Sequence, residues 1–257
     1  MKKSESGFTL PELLVVMVTT GLFTSLLLFF MISFWRYGLL LEADLDTLVT
    51  RLNAGDYLRE NINPASGLII QNSIADLNPG NPDTSVSPVN YWLPIHAQPG
   101  TIPIGVAGTI TPLIYFKRPV ITTTNTVAFN GTQPYEDEFV LYLNGTTKEL
   151  LSRTLANPNV VNNKLVTSCP AASATNTCPA DKIVASDISS IAMRYFSKNG
   201  NLINYTSSYD SSTNEYTGPD FPLVEVVEFN LNLTKKPYFQ KSDATFNSTV
   251  IRIAIRS

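Results

Sequence analysis

The feature that most constrains this chain is Leu13–Trp35, a run of 23 residues without a single charge. About 20 apolar residues in a helix span the ~30 Å hydrocarbon core of a bilayer, so this run is long enough to cross once. Lys2 and Lys3 precede it and Arg36 ends it. The positive-inside rule then leaves the N-terminus in the cytoplasm and everything beyond Trp35 outside. A secretory signal peptide would need a shorter apolar core followed by small residues at a cleavage site. The run closes instead on "SFWRYG", bulky and cationic, so the span is expected to remain on the mature chain.

Glu12 stands at the edge of this run, beside Pro11. A carboxylate in lipid is costly unless it has a partner or stays in the headgroup zone. A plain membrane anchor accounts for Glu12 only by the second route. Pro11 is tolerated there, because the first helical turn has N–H groups with no intrahelical acceptor.

The stretch "GFTLPELLV", Gly7–Val15, resembles the cleavage and methylation motif of type IV prepilins and the related pseudopilins. The resemblance implies that a prepilin peptidase cuts between Gly7 and Phe8, removing MKKSESG, and that Phe8 is then N-methylated. Glu12 becomes the fifth residue of the mature chain, the family's characteristic position for a glutamate. In a filament its carboxylate would pair with the Phe8 amino terminus of a neighbouring subunit, which drives docking and fixes axial register. Pro11 departs from the Ile or Leu that many pilins carry at that position.

The resemblance carries further expectations. The fold is α+β and pilin-like: a long N-terminal helix packed on a C-terminal antiparallel sheet. Residues 1–7 form the leader, 8–36 the transmembrane and assembly helix, 37–62 its amphipathic extension, and 63–257 an extracytoplasmic β-rich head. The implied partners are the prepilin peptidase, other pilin or pseudopilin subunits through the N-terminal helix, and an inner-membrane assembly platform. The implied function is a minor pilin of a type IV pilus, acting in filament initiation or at the tip, with adhesion as a further role. A head of about 195 residues is bulky for a tightly packed shaft. Two alternatives stand beside this reading. One is a pseudopilin of a type II secretion or DNA-uptake system; the other is a membrane-anchored extracellular binding protein that never assembles.

Beyond the membrane, Leu41, Leu45, Leu48 and Leu52, then Gly55, Leu58 and Ile62, recur at spacings of three and four. That predicts one helix from about Pro11 to Asn61, its second half packed by this stripe under the head. "NINP" stops it. A Pro-, Gly- and Asn-rich stretch comes next, and then expected strands over 113–118, 120–129, 138–143, 148–155, 188–196, 201–206, 221–234 and 248–257. Asn144-Gly145 and Asn199-Gly200 mark hairpins.

The chemistry is sparse. Lys and Arg number 18 against 21 Asp and Glu, with no basic run, which excludes phosphate-backbone binding as a main role. One histidine, His96, and no G-x-S-x-G or H-E-x-x-H leave no catalytic constellation, so no enzyme, cofactor or metal is expected. Glu136, Asp137 and Glu138 could hold a cation, but such a run usually marks a solvated strand entry. Asp210, Ser212 and Asn214 faintly resemble a Ca²⁺ loop, with Glu215 where a glycine is required. Cys169 and Cys178, on a chain folding outside the cytoplasm, are expected to form a disulfide. Tyr91, Trp92, Tyr205, Tyr209 and Tyr216 could form an adhesive patch, although packing is the commoner role of such aromatics.

Overall fold

The computed structural model describes residues 9–84, 89–93, 100–103, 109–203, 208–210, 215–217, 224–235 and 244–255. They fall into two compact units that divide within the helix, between Asp46 and Thr47. Helix α1 is Leu10–Ile62. Pro11 lies in its first turn, and Arg59 in its last turn complements the helix dipole. The final helical bond runs from Asn63 N–H to the Arg59 carbonyl, and Pro64 cannot extend the ladder.

The strands in chain order are β1 (Gly67–Ile69), β2 (Gly100–Pro103), β3 (Ile110–Pro119), β4 (Phe129–Asn130), β5 (Gln133–Pro134), β6 (Glu136–Asn144) and β7 (Glu149–Leu155). They continue as β8 (Lys182–Ala185), β9 (Ile188–Phe196), β10 (Leu202–Ile203), β11 (Ser208–Asp210), β12 (Glu215–Thr217), β13 (Val226–Lys235) and β14 (Ala244–Ala254). One sheet has the order β1-β3-β6-β7-β8; the other is β10-β9-β13-β14, with β2 also on β9. Every pairing between strands is antiparallel. The fold class is therefore α+β, one long N-terminal helix followed by antiparallel sheet.

Sequence patterning explains the sheets. β6 is central, flanked by β3 and β7, and it is buried continuously from Asp137 to Leu143. A strand covered on both faces reads as an apolar run, here "FVLYL". β14 is covered on one face only: Ile251 and Ile253 are buried, whereas Val250, Arg252 and Ala254 are exposed. Both sheets feed one core, with Phe116 and Phe139 stacked at 5.0 Å and Tyr195, Phe229 and Ile253 from the second sheet. The Asn144-Gly145 hairpin forms as expected, and Gly200 adopts the positive φ of 76° that its turn requires.

Three expectations are corrected. First, the predicted stripe packs only at its end: within the head unit Leu58 and Ile62 are buried beside Ala54, whereas Leu48 and Leu52 are exposed by 48 and 58%. Second, 120–129 is not a strand. The chain reverses over Thr122–Thr126, where Thr122 N–H bonds the Thr126 carbonyl and Asn125 sits at φ 59°. Asn tolerates the left-handed region, which overrode the β-propensity of Val, Ile and Thr. Third, β2 lies in the Pro-, Gly- and Asn-rich stretch expected to be irregular, and β1 and β8 fall where no strand was expected.

Candidate functional site

Gly7 and Phe8 lie outside the described residues. Thr9 and Glu12 are within them, and together they build the helix start. Thr9 N–H and Thr9 Oγ1 both donate to Glu12 Oε2, at 3.0 and 2.8 Å. Glu12 at the third helical position thus reaches back to the capping residue, the carboxylate half of a capping box. The sequence Thr9-Leu10-Pro11-Glu12 carries this signature, [ST]-x-x-E, which a reading centred on the membrane cost of Glu12 overlooked. Both bonds fall on Oε2, which leaves Oε1 to accept from a group outside the helix.

The rest of the uncharged segment is built for apolar surroundings. Its most hydrophobic window has a mean hydropathy of 2.4 and no buried residue. Three of its hydroxyls bond back to the helix. Thr19 Oγ1 bonds the Val15 carbonyl, Thr24 Oγ1 the Thr20 carbonyl and Ser25 Oγ the Leu22 carbonyl, each at 2.8 Å. Such back-bonding hides a polar group that lipid cannot solvate. The helix is long and apolar enough to cross a membrane.

Cys169 and Cys178 form a disulfide, closing an exposed turn that contains a 3-10 segment at Ala171–Ser173. Its two ends meet a cluster that sequence reading missed. Arg153 on β7 is fully buried, and its Nε and Nη2 donate to the two oxygens of Asp181 at 2.5 and 2.8 Å. Arg153 Nη1 donates to Asp76 Oδ2 at 2.7 Å. Asp76 Oδ2 also accepts from Trp92 Nε1 at 2.7 Å, and Asp181 from Ser168 Oγ and Tyr142 Oη at 2.7 and 2.6 Å. Burial pulls the Arg153 guanidinium toward deprotonation, but Asp181 and Asp76 outweigh it and raise its pKa. Burial, then Asp181, pushes the Tyr142 phenol up.

These bonds tie the Pro-rich loop to the sheet and to the disulfide turn. Gly80 serves the same contact: a Cβ there would meet the Trp92 ring at 2.8 Å. The donors are consumed internally, so the arrangement is a structural staple rather than a reactive centre. The one available signal was Ser152-Arg153 inside "ELLSRTL", a polar break in an apolar strand.

The acidic run is dispersed. Glu136 bonds Ser66 and pairs with Lys117 at 3.2 Å. Asp137 accepts from Asn157 N–H and Asn163 Nδ2. Glu138 accepts from the Ser73 and Ile74 N–H groups and Ser73 Oγ. Each of the three carboxylates is taken up by partners of its own, so they do not converge on a cation. His96, Tyr205, Ser212 and Asn214 lie outside the described residues. Trp92 is fully buried core, which removes it from the adhesive patch. Comparison with protein-family models, curated proteins and solved structures returned no match.

Proposed function

We propose that this protein is a structural subunit of the type IV pilin class, a minor pilin that enters a filament through its N-terminal helix. The observation that carries the reading is the conjunction at Gly7–Trp35. A motif resembling a prepilin cleavage site stands immediately before an uncharged, lipid-length helix. Glu12 lies in the first turn of that helix with one carboxylate oxygen uncommitted.

The physical logic is differential solvation. In a subunit held in the membrane, Glu12 stays near the headgroups and takes its bonds from Thr9. When the helix is drawn into a bundle of like helices, water is lost and Oε1 needs a cation. The new amino terminus at Phe8 of a neighbour, freed by cleavage after Gly7, supplies it. A mismatched register would leave both charges unpaired at a cost of several kcal/mol, so the pair selects one register. A secretion pseudopilin would use the same N-terminal chemistry; a tethered binding protein would need neither cleavage nor Glu12.

The test is on assembly. Glu12→Leu should insert and be cleaved normally, yet be depleted at least tenfold from sheared surface filaments relative to the native protein. Gly7→Ala should accumulate as uncut precursor. Unchanged filament incorporation of Glu12→Leu would overturn the reading.

A further inference from the structure

The chain holds three Asn-Gly pairs: Asn130-Gly131, Asn144-Gly145 and Asn199-Gly200. Such a pair can react with itself, because glycine has no Cβ to obstruct attack of its nitrogen on the asparagine amide. The reacting groups are the same in all three. A difference in their fate must therefore come from the fold.

The nucleophile is the glycine nitrogen after loss of its proton. A hydrogen bond donated by that N–H favours the protonated form and so opposes attack. Gly145 N–H donates to the Thr109 carbonyl and Gly200 N–H to the Ser197 carbonyl, each at 2.9 Å. Gly131 N–H has no acceptor among the described residues. A Cβ built on Gly131 would meet nothing within 4 Å, so its surroundings are open to water and base.

The electrophile differs as well. Asn144 Oδ1 accepts from the Thr146 and Thr147 N–H groups at 3.0 and 3.3 Å, which fixes its amide over its own loop. The Asn144 backbone is also held in the ladder, opposite Ile110 on one side and Glu149 on the other. Asn130 is exposed, and its side-chain amide has no hydrogen bond among the described residues. It ends β4, which with β5 makes a ribbon of two residues per strand, and ribbons that small open readily. Gly131 follows at φ 64°, the first central residue of a two-residue hairpin turn.

We infer that Asn130 is a deamidation site of the folded head, and that the same chemistry is suppressed at Asn144 and Asn199. Hydroxide takes the Gly131 amide proton, and the nitrogen attacks Asn130 Cγ. The new N–Cγ bond closes a cyclic imide, and the side-chain nitrogen leaves as ammonia. Water then opens the ring. Cleavage at Cγ gives aspartate; cleavage at the main-chain carbonyl gives isoaspartate, with one extra methylene in the backbone. Either product places a new carboxylate beside Phe129, which is 58% exposed. The inference does not rest on the N-terminal motif.

The test ages the full chain in detergent micelles in mildly alkaline buffer. Peptide mapping by mass spectrometry then follows the amide-to-carboxyl conversion at each site, with isoaspartyl methyltransferase labelling as a second readout. Conversion at Asn130 should outpace that at Asn199 about fivefold, the scale of one hydrogen bond, and Asn144 should be slowest. In urea the three sites should converge to similar rates. Equal rates in the folded protein would overturn the inference, as would a lead for Asn144 or Asn199. A lead for Asn130 that persists undiminished in urea would also overturn it, since sequence rather than the fold would then set the order.

Discussion

Helix residues Leu13–Trp35 and the β-rich head satisfy their side chains in opposite ways. In that segment every large apolar side chain is exposed by half or more, and the carboxylate just before it, Glu12, keeps an oxygen unspent. In the head the most demanding group, the Arg153 guanidinium, finds two carboxylates and a backbone carbonyl without help from outside. One region is written for surroundings the chain does not itself supply, and the other closes on itself. Substitutions in the head should therefore report as stability. Those at the helix start should report as processing and assembly at nearly constant stability.

The largest stability effect is expected at Arg153. Arg153→Leu leaves Asp76 and Asp181 buried without their cation and should cost about 3–5 kcal/mol in urea unfolding. Combining it with Asp76→Asn and Asp181→Asn should cost less than the sum of the parts, because the charges left stranded disappear together. Breaking the Cys169–Cys178 bridge should come next. The loop is short, with a sequence separation of 9, so Cys169→Ser with Cys178→Ser should lose up to ~3 kcal/mol. Hydrogen exchange should rise around Ser168 and Asp181, while Thr47–Ile62 stays protected.

A same-chemistry control lies on the open face of the second sheet. Arg252 Nε bonds Glu228 Oε2 at 2.6 Å, but the Arg252 side chain is 69% exposed, and Arg194 stands by at 3.6 Å. Arg252→Ala should therefore cost about 1 kcal/mol or less. A cost near that of Arg153→Leu would mean that burial is not what separates the two arginines.

What the sequence disclosed divides along the same line. The membrane-length run and both Asn-Gly hairpins were legible because each depends on neighbours a few residues apart. β8 and the Arg153 cluster were not. "KIVA" becomes a strand only because β7 lies beside it, and Arg153 draws Asp76 and Asp181 from 77 and 28 residues away. The leucine stripe was right at Leu58 and Ile62 but not at Leu48 and Leu52, for a related reason. Periodicity shows that a helix has an apolar face, but not whether the sheet or something outside the chain covers it. At the candidate site, spacing made Glu12 stand out, while its bond to Thr9 was overlooked although [ST]-x-x-E was present.

The smallest expected effect is a pH dependence at Asp137. Burial pushes this carboxyl above its ordinary value, and its Oδ2 has no hydrogen-bond partner. The folded state thus holds its proton to higher pH than the unfolded chain does. Its contribution is most favourable below the ordinary carboxylate range near ~3.9 and is lost as pH rises through the raised value. Asp137→Asn keeps an acceptor for Asn157 and Asn163, so the urea midpoint should vary less with pH from about 4 upward. An unaltered slope would mean that the carboxyl titrates alike in both states.

The contrast between a self-contained head and a helix completed by other molecules is tested most directly at the N-terminus of the mature protein. Intact-mass analysis of protein purified from its native envelope should give a chain that begins at Phe8, lacks Met1–Gly7 and carries one added methyl group. A chain that still begins at Met1, or one cut after Trp35, would contradict the account.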